Sequence, residues 1–498
     1  MTTLALLNSN DLFVLGPFLA VALTGLLCLV PLGRLAPRFV SVLGMATAFV
    51  LALYGYAPAT NKDEDFGERL GPALRDVVQF RMESVVATLL LVGFGFVIAL
   101  WSATLPTRGA RRERGSAAGL AMATAAALAM VLAKNAFLAF VAIEVFALAC
   151  IVHALSHGDV ERQRTVAATS LRSQLVTSLL LLQGLGLVYG SFGTLSILRI
   201  EAVNRPGLAV PEGLAVVGGT LVFVALFIRF GVTPFGRAKR RELVRLPRAT
   251  RLVSIAIGSP ALLLLLFAAA PRIPRYLLGV LPFLALAMLA LGVVATWASR
   301  DRARLDASLA TLSTGSLFLA FVSLTQGVGV QDAGYAIRAG LFALVPFALS
   351  WVLWIAGQEA AGLQGEELER MRGLGRREPY AAVLMSLGAI GIVGLPLTSA
   401  FWGRWLLLQS SMSSIGTAWS LAYALASSLG AWWCLHFVGR LWFEAPSEAY
   451  SDANRDAHRE TDAPSLANIA VTSFTALLLV LGFFLPSLLF DTLVHIAL

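Results

Sequence analysis

Apolar residues run in long unbroken blocks along this chain, and polar residues gather in short intervals between them. A membrane span needs roughly 20 predominantly apolar residues. That rule gives fourteen candidate helices, at 11–33, 39–58, 81–104, 116–133, 135–156, 166–190, 213–235, 251–270, 276–298, 304–325, 334–357, 379–410, 415–442 and 466–489. Only a helix satisfies its own backbone inside such a block, so the pattern predicts an all-α polytopic membrane protein. The block 379–410 is too long for one plain span and contains Gly394-Leu395-Pro396, which predicts a broken helix. Pro234 likewise predicts a break or an end in the seventh span.

Composition agrees with the pattern. The 498 residues are 58% hydrophobic and 13% charged, proportions of a membrane chain and not of a soluble one. Charge adds direction. With the N-terminus outside and the spans alternating, the inner loops carry 25 of the 38 basic residues and the outer loops 8. The other five, Arg81, Arg172, Arg229, Arg338 and Arg404, fall in or at the edge of spans. This bias places both termini on the periplasmic or equivalent outer side. Basic loops spaced so regularly are topology signals, so the formal charge of +9 does not imply a nucleic-acid partner. The first apolar run lacks a basic leader and reads as a retained helix. The acidic outer loop Asn61–Asp76 reads as solvated. The longest inner loops, 236–250 and 358–378, are too short to house a soluble catalytic domain.

Candidate chemistry is sparse. Cys28, Cys150 and Cys434 each sit in an apolar run, and the five histidines are scattered, so no spacing suggests a metal, an iron–sulfur cluster or a disulfide. No Gly-rich phosphate-binding motif and no nucleophile–base grouping appears. The expectation is a chain without catalytic residues, metal or cofactor of its own. Charges inside spans carry what signal there is, because they are costly and usually face protein or a wet path. Glu144 sits deep in the fifth span, and Arg229, in the seventh, is its natural partner. Arg404 follows the break in the twelfth span and fits either a comparable buried role or a snorkel to the interface. Arg172 and Arg338 lie near span ends, where snorkelling is favoured, and Arg81 and Glu83 read as interfacial. Asp306, near the start of the tenth span, fits a pair with a basic loop residue as well as it fits a path. The hydroxyls of Ser254, Ser259, Thr311, Ser313, Thr314 and Ser316 are expected mostly to bond back to carbonyls one turn away.

Pro234 and Pro396 each follow an apolar helix near the end of a five-helix group. An odd number of spans per group makes the second copy inverted, and paired broken helices point to a transport site at mid-membrane. The chain therefore divides into an N-terminal three-helix segment (1–110), a first five-helix repeat (111–272), a second (273–445) and a terminal loop and helix (446–498).

Four segments carry a resemblance. LAKNAFLAFVAIEVFALACIVHALSHGD, LLLLQGLGLVYGSFGTLSI, FIRFGVTPFGR and RMRGLGRREPYAAVLMSLGAIGIVGLPLTSAFWGRW resemble, in order and spacing, landmarks of the antiporter-like membrane subunits of respiratory complex I, most closely the subunit N branch. The resemblance spans roughly residues 80 to 445. It implies two inverted five-helix repeats with helices seven and twelve broken, a mid-membrane line of charges that relays protons, and no redox centre in the subunit. It also implies the cell inner (plasma) membrane, and partnership with other membrane and hydrophilic subunits of an NADH:quinone oxidoreductase. The family's helix-five acid matches Glu144, its helix-seven lysine matches Arg229, and its helix-twelve basic residue matches Arg404. The helix-eight lysine is missing near Ser259-Pro260-Ala261, and the helix-ten histidine falls near Ser316. Arginine stays protonated where a buried lysine can be tuned to release its proton, so these departures imply a scaffold with an altered or silent proton path. A subunit of a cation/proton antiporter or ion-coupled inorganic-carbon transporter, and a non-conducting scaffold of such an assembly, are the alternative readings.

Overall fold

The computed structural model describes residues 9–30, 36–59, 82–105, 109–157, 160–196, 212–327, 329–362, 368–445 and 465–486. The Asn61–Asp76 loop, Arg81, His458 and His495 lie outside these residues, as does the side chain of Glu83. Apart from isolated bridges, among them one between Asn135 and Ser196, the regular structure described is helical.

The helices are α1 (Ser9–Leu29), α2 (Pro37–Ala59), α3 (Met82–Ala103), α4 (Ala110–Leu132), α5 (Ala136–Leu155), α6 (Val160–Phe192) and α7 (Glu212–Phe230). After them come α8 (Arg237–Arg245), α9 (Arg248–Val253), α10 (Ser259–Ala269), α11 (Leu281–Trp297), α12 (Arg302–Gln326) and α13 (Val330–Ala360). The last four are α14 (Pro379–Val393), α15 (Ser399–Ser414), α16 (Thr417–Trp442) and α17 (Leu466–Phe484). Among the described residues, twelve helical segments are long and apolar enough to cross a membrane, with α9 and α10 counting as one span, Arg248–Arg272. Two shorter apolar helices, Leu15–Leu29 and Pro379–Val393, stand where the first and twelfth spans are expected. The chain is thus an all-α membrane protein whose helices follow the fourteen apolar blocks.

The chain forms two compact units. The first takes in the described residues up to Phe230 together with Ile257–Val280. Within it α4 packs on α5, α6 on α7, α1 on α2 and α4, and α10 on α4. Small residues let these backbones meet. A Cβ on Gly119 of α4 would stand 2.7 Å from the backbone of His153 on α5, and one on Gly184 of α6 would stand 2.9 Å from the Gly218 carbonyl on α7.

The second unit takes in Gly231–Ala256 and the described residues from Leu281 onward. Here α11 packs on α12, α12 on α13, and α13 on α14 and α15. Helix α13 is its axis, with Trp351 and Trp354 fully buried. Gly388 and Gly391 of α14 press against Trp354 and Ser350 of α13, leaving no room for a side chain at either glycine. The hydroxyls of Thr311, Ser313, Thr314 and Ser316 bond to carbonyls three or four residues back within α12, as their sequence context suggests.

The seventh span ends earlier than its proline suggests. Helix α7 stops at Phe230, because Gly231 turns to φ 97°, a left-handed value that halts an α-helix four residues before Phe235. This is also where the chain passes from the first unit to the second. It returns inside a π turn, Ser254–Gly258, between α9 and α10. Pro260 accounts for that turn: its ring excludes the carbonyl four residues back and it has no N–H to offer, so the helix widens by one residue. The twelfth span breaks at Gly394 (φ 79°) and Leu397 (φ 85°), the latter a strained conformation for a residue with a side chain.

Candidate functional site

The first unit brings Glu144 and Arg229 together. Helix α5 starts at Asn135, whose side chain accepts the Phe137 N–H, and Glu144 lies near its midpoint. Phe137, Val141, Val145, Leu148, Val152 and Leu155 form the exposed stripe of α5. Glu144 sits at the edge of that stripe and turns toward α6 and α7, leaving its side chain 27% exposed. Arg229, in the last turn of α7, donates from Nη2 to Glu144 Oε1 at 2.7 Å. The same nitrogen reaches Ser178 Oγ at 2.9 Å and the Gln174 carbonyl at 3.4 Å, both on α6. Three helices therefore converge on one guanidinium.

Ser178 gives this cluster a choice. Its hydroxyl has one proton and two acceptors within reach, Glu144 Oε1 and the Gln174 carbonyl, each at 2.7 Å. When the proton points at Glu144, that oxygen accepts from both an arginine and a hydroxyl.

Arg404 lies in the second unit and has a different kind of partner. Its Nη2 donates to the Ile392 carbonyl at 2.8 Å, and its Nη1 comes within 3.5 Å of Ser427 Oγ. Ile392 is in the last turn of α14, so the cation meets the negative end of a helix dipole across the break. Gly394 makes this possible, since any Cβ there would stand 2.2 Å from Arg404 Cδ. Pro396 lies within that break, and Pro234 lies in the turn after α7.

A second arginine–carboxylate pair is one the sequence leaves open. Asp306 is fully buried and pairs with Arg251, also buried, from the start of the eighth span. Its other oxygen accepts from Trp354 Nε1 at 2.7 Å and Gln358 Nε2 at 2.9 Å. Arg251 spends its remaining donors on the carbonyls of Leu243 and Leu246, at 2.9 and 3.0 Å. Arg248 lies 3.7 Å from Glu359 nearby. Asp306 thus takes the pairing reading, and its partner is the basic residue that directly follows the long inner loop. The sequence signal for Trp354 and Gln358 was weak, because a tryptophan and a glutamine near the end of an apolar helix look like ordinary interfacial residues.

The missing lysine of the eighth span leaves a polar site of another make. Ser254, at the start of the π turn, accepts from Lys239 Nζ at 2.8 Å, and Lys239 also lies 3.6 Å from Glu242 on α8. Beside it on α8, burial and then the neighbouring Arg237 pull Arg240 below the usual guanidinium range. Ser259 and Pro260 occupy the expected lysine position and are buried. Ser316 stands near the expected histidine, bonded back to Ser313.

With this geometry in view, residues 133–430 match the family described as NADH:quinone oxidoreductase/Mrp antiporter, TM. The chain belongs to this family. Subunit N of the NADH-quinone oxidoreductase of Alkalilimnicola ehrlichii is 26% identical over 378 residues, covering 72% of each chain. Subunit N 1 from Symbiobacterium thermophilum is 30% identical over 381 residues, 73% of this chain and 75% of that one. The F(420)H(2) dehydrogenase subunit N of Methanosarcina mazei is 27% identical over 54% of this chain and 56% of its own. Among solved structures, a chain of an archaeal membrane-bound sulfane sulfur reductase superposes with a TM-score of 0.81 at 16% identity, covering 98% of this chain and 96% of that one. A chain of the Mrp complex from Dietzia sp. superposes at 0.78 and 18% identity, covering 98% and 97%. One from respiratory complex I of Thermus thermophilus does so at 0.73 and 19%, covering 96% and 99%. At these identities the superpositions establish the fold, which is that of antiporter-like complex I membrane subunits.

Proposed function

We propose that this chain is a membrane-arm subunit of a complex I-like NADH:quinone oxidoreductase in the cell inner (plasma) membrane. Its termini lie on the outer side, its partners are other membrane and hydrophilic subunits, and it contributes to redox-coupled proton translocation through an altered path. The subunit N relatives carry the assignment to such an assembly. Residues 111–272 and 273–445 are read as inverted repeats. Supporting this, each contains one broken span, and α4 on α5 with α6 on α7 has its counterpart in α11 on α12 with α13 on α14.

One observation carries the altered path: Glu144 and Arg229 are in direct contact at 2.7 Å. A relay station must gain and lose a proton at accessible pH, and a guanidinium does not. Held against Arg229 and within reach of the Ser178 hydroxyl, Glu144 acts as a fixed countercharge. The expected result is that reconstituted complex carrying Glu144→Gln moves protons with the stoichiometry of the parent, measured as proton uptake per NADH oxidised. A large loss of stoichiometry would sink the altered-path reading. Arg229→Lys sharpens the test: with a group able to titrate in place, proton movement should become sensitive to Glu144→Gln.

The family description covers cation antiporters as well, and the likeness to an Mrp chain supports a second reading as an antiporter subunit. Mild purification of the tagged chain separates the two. Hydrophilic companions with flavin and iron–sulfur absorbance support the redox assembly, whereas small membrane companions alone support the antiporter.

A further inference from the structure

The notch left by the break in the twelfth span holds a cavity of about 290 Å³ within the second unit. Carbon makes up most of its wall, from residues such as Leu319, Leu395 and Phe401, and its polar groups include Arg404, Ser316 and Ser427. Trp405, on the next position of α15, is largely exposed beside it. The cavity therefore meets an apolar outer surface of the unit.

Arg404 is under-compensated there. Among the described residues no carboxylate pairs with it, in contrast to Arg229 and Arg251. A helix C-terminus offers only roughly half a negative charge. A guanidinium has five N–H donors, and of these Arg404 spends one on Ile392 while Nη1 keeps only the long approach to Ser427. A cation beside a carbon-walled cavity calls for an anion, because a buried charge is costly unless paired.

We propose that this cavity binds a single-chain anionic amphiphile, its carboxylate on Arg404 Nη1 and Ser427 and its hydrocarbon chain along the carbon wall. The planar guanidinium suits a carboxylate. A volume near the lower end of small-molecule pockets, roughly 300 Å³ and upward, admits one chain and not two. Entry is from the bilayer, past Trp405.

The test uses the full chain in its native complex, reconstituted in phosphatidylcholine vesicles and photolabelled with a diazirine-bearing lauric acid. The matching neutral alcohol and a diazirine-bearing phosphatidylglycerol serve as comparisons, with labelled sites mapped by peptide mass spectrometry. The acid is expected to label residues 395–431 roughly tenfold more than the alcohol, the loss of one charge-assisted contact set being worth about that factor. Arg404→Gln should bring acid labelling down to the alcohol level, and Arg404→Lys should keep most of it. Ala424→Trp, which fills the cavity and leaves the charge in place, should block labelling in complex that still assembles. Equal labelling by acid and alcohol, labelling indifferent to both Arg404→Gln and Ala424→Trp, or displacement of the acid by phosphatidylglycerol would each overturn the proposal. Labelling reads binding directly, so the outcome stands apart from whether the assembly moves protons.

Discussion

Each unit holds an arginine–carboxylate pair within its spans, and the two differ in how far the chain encloses them. Asp306 and Arg251 in the second unit are 0% and 4% exposed, and both carboxylate oxygens accept from an N–H, Oδ1 from two and Oδ2 from one. Glu144 and Arg229 in the first unit are 27% and 11% exposed, and one carboxylate oxygen, Oε1, carries both contacts. The same two functional groups therefore do different work. An enclosed pair with both carboxylate oxygens bonded is a joint, because its removal leaves a stranded charge. A pair at the edge of an exposed stripe, held through one carboxylate oxygen, contributes less to stability. Enclosure, more than residue type, separates the two.

The joint has a clear task within its unit. Arg251 ties the carbonyls of Leu243 and Leu246 to Asp306 of α12, so the basic segment after the first break is anchored at its far end. The largest expected effect follows from it. Asp306→Ala should destabilise the protein by about 3–5 kcal/mol, because it leaves Arg251 buried and uncompensated. Thermal unfolding in detergent checks this, and Glu144→Ala should cost clearly less in the same assay. Equal losses would break the comparison. Trp354→Phe, which keeps most of the ring volume and removes one donor to a charged acceptor, should cost about 1.5–3 kcal/mol by the same measurement. Asp306→Asn combined with it should be less than additive, since both act on one network.

The break in the twelfth span gives the next effect. Gly394→Ala meets a left-handed backbone and the Arg404 stem at once, and should cost about 1–3 kcal/mol. It should also lower amphiphile labelling in the cavity, because Arg404 must move. The smallest effect belongs to the first unit. Ser178→Ala removes a hydrogen bond from a partly enclosed pair and should cost about 0.5–1.5 kcal/mol in unfolding experiments. Its value lies in sharpening the comparison: a loss as large as that of Asp306→Ala would make the Glu144 cluster a joint as well.

Much of this was legible before any coordinates. The spans could be counted because each block of apolar residues has one solution in a membrane, a helix. The Glu144–Arg229 pairing could be anticipated because a deep carboxylate demands a cation and few were available. The end of the seventh span was harder, since Pro234 drew attention away from Gly231, whose backbone conformation stops the helix first. Asp306 stood open between two readings until Arg251 was seen to reach it. Trp354 and Gln358 carried almost no signal, because their roles depend on a carboxylate some fifty positions away in the chain.

Sequence alone therefore determined the membrane class, the number and order of the spans and the second break, all of which rest on local composition and spacing, and it carried the four segments that resemble the family. Tertiary structure decided which charge meets which. Pairing energies depend on distance and on the exclusion of water, and neither is written along the chain. It also decided that α7 belongs to one compact unit and the basic segment following it to the other. Finally, it gave Arg404 a helix end and a cavity in place of a carboxylate, a choice set by how α14, α15 and α16 pack around one glycine.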